Sequence, residues 1–596
     1  MSILALISKK KKDLTKNINK IQSKYPKSVF KDLSNSKKKS SIFLSIDNKD
    51  SKNITKENKN FTIIKGNYKN IMGNDFELDN ISLYKKIKGN FLLFQYIDDK
   101  LYITTDSMLS KPIFKFESDE YICFSNNIEL IMLAIPNTWE IDWNQILSFV
   151  VNSSCSGNGV LIKEIFLGRP GTQYVLRDTE EIKVNNFWSP PLRDSEKIDN
   201  YSIKNLAENL LDNISIHMND SFKVAIPLTA GVDSRLILAC ALKLFPKKVM
   251  AFTHGYKNSN APDIQVSRMI CEKLNINHKF IECTENIKRI IKEQEPTFNH
   301  HLSTFGQARH SFLFDILLYE SYKKFDCDLE FKGLAGGLFK GKWENNSNIN
   351  KFPEKILRNY NSLFMKDFEE IILSTSNFYS QFSHQSFVND TNENKINLSI
   401  FYTRFINRVC VRTNFQSSIF KSINPFYEYE FIHNYLRINP KLRKKGNIHL
   451  ELIRYIYPSL LDIPHLASRE YYKFKDGSQI KTSNKELISI GLSPFEKKKN
   501  PLKHRFLKIL LNDENINIQN IRPTADWDHV KIILNPFIKS TFQKFNNYFP
   551  GILKELDVSE IINNRNFDSR LYRLYSSLTY LCYLKEKNIK FKINIH

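Results

Sequence analysis

Residues 225–238 read AIPLTAGVDSRLIL. A short apolar run ends in Thr-Ala-Gly, and Asp-Ser-Arg then opens a stretch of helical character, SRLILACALKLF. In an open parallel sheet, ligands bind at the carboxyl ends of the strands and anions sit on helix N-termini. A strand Val224–Leu228 would deliver Thr229, Ala230 and Gly231 to such a position. Their small side chains let backbone N–H groups approach a phosphate without a Cβ in the way. Ser234 can donate a hydroxyl, and Asp233 can hold a Mg²⁺ that neutralises a triphosphate. Taken alone, the same letters also read as an ordinary strand–helix connection capped by Asp.

The text around this turn alternates. KVAIPL and its helix are followed by VMAFTHG, the helical PDIQVSRMICEKL, HKFIEC and, after a longer helical region, DLEFKG. Strands alternating with helices predict βαβ units and a parallel sheet. Upstream the rhythm is different. MSILALIS, SSIFLSID, NFTIIKG, GNFLLFQYID, KLYITTD, YICFSN and TQYVLRD are short Ile/Phe/Tyr-rich runs bounded by Asn, Asp, Gly and Lys, so residues 1–190 read mainly as β. SPPLRDSEKIDN (189–200) reads as a linker. From about residue 350 the text is largely helical.

At 596 residues the chain is too long for one core, and 41% apolar with 13% aromatic residues gives it ample material for several. Eight scattered cysteines without a CxxC pair suit reduced thiols better than a disulfide framework or zinc site. No apolar stretch reaches the ~18 residues that span a bilayer, and MSILALIS is too short for a secretory segment. A cytoplasmic protein with no membrane partner is expected. The formal charge of +24 includes clusters at Lys9–Lys12 and Lys37–Lys39, but Lys is abundant throughout. No aromatics are interleaved with those clusters, so a solvated surface is expected and a nucleic-acid partner is not. His300, His301 and His310 lack Cys or acidic neighbours at ligand spacing, and no metal is expected there.

LTAGVDS resembles the SGGxDS loop of the PP-loop ATP pyrophosphatases, and Thr253 through APDIQVSRMICEKLNINHKFI is similar to the matching part of asparagine synthetases. FKGLAGGLFKGKW (331–343) resembles that family's second nucleotide-side motif, with Leu334 where the family has Glu and Gly337 where it has a Mg²⁺-binding Asp. Read instead as a Walker A loop it fails, because Trp343 stands at the hydroxyl position. INPFYEYEFIHNYLRINPKLR resembles the family's Pro-Phe-Leu-Asp segment, with Glu428 for the Asp. The region 450–477 looks like the one ending in Arg-Gln-Lys: Arg469 matches, Tyr471 takes the lysine position and Lys473 lies two residues on.

The opening MSILALISKKKKDLTKNINKI and the stretch 89–131 resemble the family's glutamine-hydrolysing domain, with Gly89, Phe91, Asp106, Pro112 and Ser125 at the expected places. That domain uses a cysteine after the initiator Met; Ser2 stands here, a far weaker nucleophile. Lys65-Gly66-Asn67 is at best a relic of the glutamine pocket.

The resemblance implies an α/β fold in three parts. A degenerate amidotransferase-like αββα Ntn-hydrolase-like β-sandwich would span 1–190, and a Rossmann-like parallel-sheet PP-loop ATP-binding domain 200–480. Residues 481–596 would form a helical extension that matches no motif. It implies ATP and Mg²⁺ as cofactors, bound through Leu228, Thr229, Ala230, Gly231, Asp233, Ser234, Thr253, Gly255 and Gly333, with Asp233 as metal ligand and Asp233 and Lys473 in catalysis. The implied reaction activates a carboxylate, aspartate by default, as an acyl-adenylate with release of pyrophosphate. Ammonia or an amine then forms the amide, without working glutaminase; a homodimer is compatible with this layout. Two alternatives stay open: a PP-loop enzyme that modifies tRNA, and an ATP-binding scaffold without catalysis. Cys240, within the helix after the loop, is expected in the core.

Overall fold

The computed structural model describes residues 2–10, 12–26, 28–33, 41–46, 61–70, 87–152, 154–155, 157–177, 182–191, 202–218, 223–255, 262–282, 326–334, 336–340, 401–410, 420–443, 446–463, 527–550 and 569–592. The N-terminal part is built from two antiparallel sheets. One has six strands: β1 (Ser2–Ser8), β2 (Ser28–Asp32), β3 (Ser41–Ile46), β7 (Phe114–Glu117), β8 (Tyr121–Ser125) and β10 (Ile165–Leu167). The other has five: β4 (Phe61–Asn70), β5 (Ile87–Ile97), β6 (Lys100–Thr105), β11 (Thr172–Arg177) and β12 (Lys183–Asn186).

Aromatic pairs stitch the sheets face to face. Phe43 of β3 meets Phe61 and Phe94 at ring-centroid distances of 4.7 and 5.7 Å, and Phe124 of β8 meets Tyr174 of β11 at 5.1 Å. Each such buried ring contributes about 1.5–3 kcal/mol. Ile3 to Ile7 of β1 are buried on both faces, as an unbroken apolar run requires. One face meets the second sheet; on the other, α2 (Ile128–Ala134) packs on β1 and β8, and α1 (Thr15–Lys24) packs on α2. On the outer side of the five-stranded sheet, Ile64, Ile87, Phe91 and Leu93 form a separate apolar cluster. Gly66 lies in this sheet at φ +133°, and a Cβ there would sit 1.9 Å from Asn90 O. Packing of β4 on β5 therefore accounts for this glycine without a glutamine pocket.

The second half centres on a five-stranded sheet in which every pairing is parallel. Its strands are β13 (Val224–Pro227), β14 (Val249–Gly255), β15 (Asn277–Glu282), β16 (Leu329–Phe331) and β17 (Ser422–Ile423), in the order β15-β14-β13-β16-β17. The chain steps outward from β13 to β15, then returns to lay β16 on the opposite side of β13. The end of β13 is thus the point where strand order reverses, where a crevice opens in sheets of this kind. Helices α4 (Ile203–Ser215), α5 (Val232–Leu244) and α6 (Pro262–Lys273) accompany the sheet. The sequence-based fold class holds: an α/β chain with a two-sheet sandwich first and a parallel sheet second.

Beyond β17 the described residues are mainly helical: α8 (Tyr429–Arg437), α9 (Asn447–Ile456), α10 (Trp527–Tyr548) and α11 (Ser569–Glu586), with the short α7 (Gly336–Phe339) preceding β17. Among these, α10 and α11 pack on each other and α11 on α3 (Trp143–Asn152), while the terminal β18 (Phe591–Lys592) pairs with β9 (Trp139–Glu140). The end of the chain therefore docks on the N-terminal half. Tyr583 and Tyr25 each donate a hydroxyl hydrogen bond to the buried Glu129 carboxylate, at 2.8 and 2.9 Å, and Lys24 lies 3.1 Å from it. Burial pushes the Glu129 pKa up, but Lys24 and the two tyrosines outweigh it and hold the carboxyl below its ordinary value. No helix among the described residues is long and apolar enough to cross a membrane.

Candidate functional site

The cradle is made by the turn between β13 and α5. Gly231 is the N-cap of α5 in an extended conformation, and no side chain caps the helix there. The turn is closed by its own hydroxyls. Thr229 N–H donates to Ser234 Oγ at 3.2 Å, Gly231 N–H donates to Thr229 Oγ1 at 3.2 Å, and the two hydroxyls lie 3.0 Å apart. Ala230 N–H donates to the Asp263 carboxylate of α6 at 3.0 Å. A carboxylate oxygen of α6 thus satisfies one loop amide.

A second segment leans on this turn from β16. A Cβ on Gly333 would lie 2.8 Å from Asp233 O, and one on Gly336 would lie 2.1 Å from Asp233 Cγ, whereas one on Gly337 would meet nothing within 4 Å. The first two glycines are therefore required by close approach. Asn424, fully buried after β17, holds the segment by donating to Leu334 O at 2.7 Å. This packing brings Lys340 onto the Asp233 carboxylate, with Nζ 2.8 Å from Oδ1 and 2.9 Å from Oδ2. From the other side His449 of α9 points Nε2 at Oδ1 across 3.6 Å. Nε2 is buried and has no hydrogen-bond partner, while Oδ1 is held by the Lys340 ammonium. The His449 ring is anchored at its far nitrogen, Nδ1, 2.7 Å from Tyr435 Oη. Burial pushes its pKa down to about 4, against a smaller upward pull from Asp233. At neutral pH it is an uncharged imidazole.

On the side away from β16, the turn is flanked by β14. Its pairing with β13 ends at Pro227↔Phe252, while Thr253, His254 and Gly255 continue beside β15. The edge of Thr253–Gly255 toward β13 thus runs past the last shared rung, at the level of the cradle. Thr253 is occupied by the scaffold: its hydroxyl donates to Leu228 O at 3.0 Å and lies 3.1 Å from His278 Nε2. Arg235, one turn into α5, is fully buried and donates to Leu460 O at 2.8 Å and Ile463 O at 2.6 Å. It ties the cradle helix to the chain that leads toward Lys473.

The structure therefore brings Leu228, Thr229, Ala230, Gly231, Asp233, Ser234, Thr253, Gly255 and Gly333 to one end of the sheet. Lys473, Arg469 and Tyr471 lie outside the described residues, as do His300, His301, His310 and Gly341–Trp343. Ser2 begins β1, in register with Ile46. Asp106 is buried and accepts N–H bonds from Phe91, Met108 and Ser110 at 2.9, 3.0 and 2.9 Å, so it organises a loop. Cys240 is wholly buried, and burial raises its thiol pKa, as a core residue requires. Sequence reading missed Lys340, His449 and Asn424. Lys340 stood in a stretch read as the family's second nucleotide-side motif and rejected as a Walker A loop, without being singled out itself, and the other two carry no local signal.

Mg²⁺ was expected on Asp233. Both oxygens of that carboxylate instead face Lys340, and Gly337 adds no second carboxylate. Among the described residues no group of three or more His, Cys, Asp or Glu side chains converges on a metal site. A hard divalent cation needs several oxygen ligands, so these residues do not fit a protein-held Mg²⁺.

Residues 205–311 match the asparagine synthase family model. Over 215 residues the chain is 23% identical to asparagine synthetase [glutamine-hydrolyzing] 1 of Bacillus subtilis, covering 35% of this chain and 32% of that protein. Over 95 residues it is 33% identical to the NH₃-dependent NAD⁺ synthetase of Fusobacterium nucleatum, covering 16% of this chain and 37% of that one. The corresponding Campylobacter jejuni enzyme is 29% identical over 93 residues, covering 15% and 38%. The chain spans roughly a third of the length of each of these relatives. The family-model match falls on the half that carries the cradle, and over residues 205–311 this chain is asparagine synthetase-like.

Proposed function

We propose that the chain is an ATP-dependent amide-forming ligase of the asparagine-synthetase type. The observation that carries the reading is the cradle itself: the N-terminus of α5, free of a side-chain cap, at the strand-order reversal of a parallel sheet. The family match over 205–311 supports it. In this reading the amides of Ala230 and Gly231 and the Ser234 hydroxyl hold the phosphate tail, and Asp263 yields Ala230 N–H to a phosphate oxygen. The strand edge at Thr253–Gly255 takes the adenine. Gly333 and Gly336 keep the second segment near enough to close the crevice. Water exclusion there strengthens each of these contacts.

A carboxylate substrate, aspartate by default, attacks the α-phosphate and displaces pyrophosphate. Ammonia or a substrate amine then displaces AMP, with Lys473 stabilising the developing charge. Mg²⁺ enters on the nucleotide. Ser2 at the nucleophile position supports nitrogen supply without glutamine hydrolysis. The division into 1–190, 200–480 and 481–596, a cytoplasmic location and a homodimer belong to the same proposal.

A pyrophosphate-release screen tests it. Aspartate and other acids, offered with ATP and ammonia, should yield pyrophosphate and AMP with at least one acid, and glutamine should not replace ammonia. ATP binding with no pyrophosphate from any acid would favour a scaffold, and salt-dependent binding of tRNA would favour the base-modifying alternative.

A further inference from the structure

We propose that Lys340 is a nucleotide-binding residue that supplies, from the chain itself, the positive charge a metal ion would otherwise bring to Asp233. The proposal rests on the nucleotide reading above and names the electrostatics of that site.

Four observations carry it. The Lys340 ammonium lies within 2.9 Å of both Asp233 oxygens. Asp233 stands in the first turn of α5, so the ammonium sits beside the positive end of the helix dipole. A cation is unfavourable there unless anions surround it, and its partner Asp233 is a single carboxylate. Gly336 presses on the Asp233 carboxylate, and its neighbour Gly337, where a Cβ would meet open space, adds no second carboxylate. Behind Asp233, the neutral His449 aims a wholly buried nitrogen without a hydrogen-bond partner at Oδ1 across 3.6 Å. The far nitrogen, Nδ1, lies 2.7 Å from Tyr435 Oη, which fixes the ring with its other nitrogen facing the carboxylate. Lys340, 12% exposed, thus rests on the carboxylate in the first turn of the helix that closes the cradle. A phosphate oxygen arriving at the α5 N-terminus would complete a carboxylate–ammonium–phosphate arrangement of balanced charge.

Calorimetric titration of the full chain with ATP, in excess MgCl₂ and separately in EDTA, tests the assignment. The wild type should hold ATP with affinities that differ by less than about threefold between the two buffers. K340Q should bind on the order of tenfold or more weakly in EDTA and recover much of that loss in Mg²⁺, because Asp233 is now free to take a cation. G337D, which places a carboxylate in open space, should likewise make ATP binding depend on Mg²⁺ and keeps the test available if K340Q does not fold. A K340Q/D233N double variant that regained wild-type affinity would show that Lys340 merely neutralises Asp233, and would overturn the proposal. A wild type whose affinity fell about tenfold or more in EDTA would do the same while leaving the ATP site standing. No ATP binding in either buffer would instead remove the nucleotide reading beneath it.

Discussion

His449 shows how one buried side chain can set the response of the site to acid. Its folded pKa lies near 4, against an ordinary value of 6.5, because burial disfavours the imidazolium. Between these values the unfolded chain binds a proton that the folded chain does not. Stability therefore rises with pH across this window and falls as pH drops from 6.5 toward 4, by up to about 1.4 kcal/mol per pH unit. Urea unfolding of wild type and H449F at pH 7, 6, 5 and 4.5 checks this. The wild type should lose more stability over that range than the variant; parallel curves would show that the imidazole titrates as in water. Glu129 shifts the other way: its pKa is depressed, so its contribution is retained above the ordinary carboxyl range and lost as pH falls through its lower folded value.

At the scale of elements, the segment after β16 and the first turn of α5 form one unit through the glycines between them. Gly336 and Gly337 are neighbours in sequence with opposite surroundings: an added Cβ strikes the Asp233 carboxylate at the first and meets nothing at the second. G336A should cost about 1–3 kcal/mol, and G337A should stay within about 0.5 kcal/mol of wild type, by thermal or denaturant unfolding. Equal effects would mean that the segment does not press on the turn. The β13–turn–α5 unit was legible in the sequence because its determinants are local: apolar strand letters, small residues at the turn, and a helix former run. The FKGLAGGLFKGKW segment was legible as a glycine-rich stretch resembling a second nucleotide-side motif, but not as a wedge against the turn. What each glycine does depends on Asp233, about a hundred positions upstream, and periodicity carries no information over that range.

At the scale of the molecule, the two sheet systems are joined by specific polar contacts. Asn407 Nδ2 donates to Cys155 O and Gly157 O at 2.8 and 2.9 Å, and Ser107 Oγ donates to Tyr427 O at 3.1 Å. The C-terminal hairpin of α10 and α11 docks on the N-terminal half through Tyr583, Glu129 and β18. Composition marked that region as helical, but its docking place was invisible, because Glu129 and Tyr583 look like ordinary surface letters until the fold buries them. For the same reason Lys340 and His449, which meet at Asp233 from distant segments, escaped a reading that found Asp233 itself.

Amide hydrogen exchange read by mass spectrometry tests the cradle across the whole chain at once. With ATP the peptides covering Leu228–Ser234 should become protected, adenosine should protect them far less, and the docked hairpin at 569–592 should be unchanged. Equal protection by adenosine and ATP, or protection by ATP only away from Leu228–Ser234, would contradict a phosphate-holding turn at the end of β13.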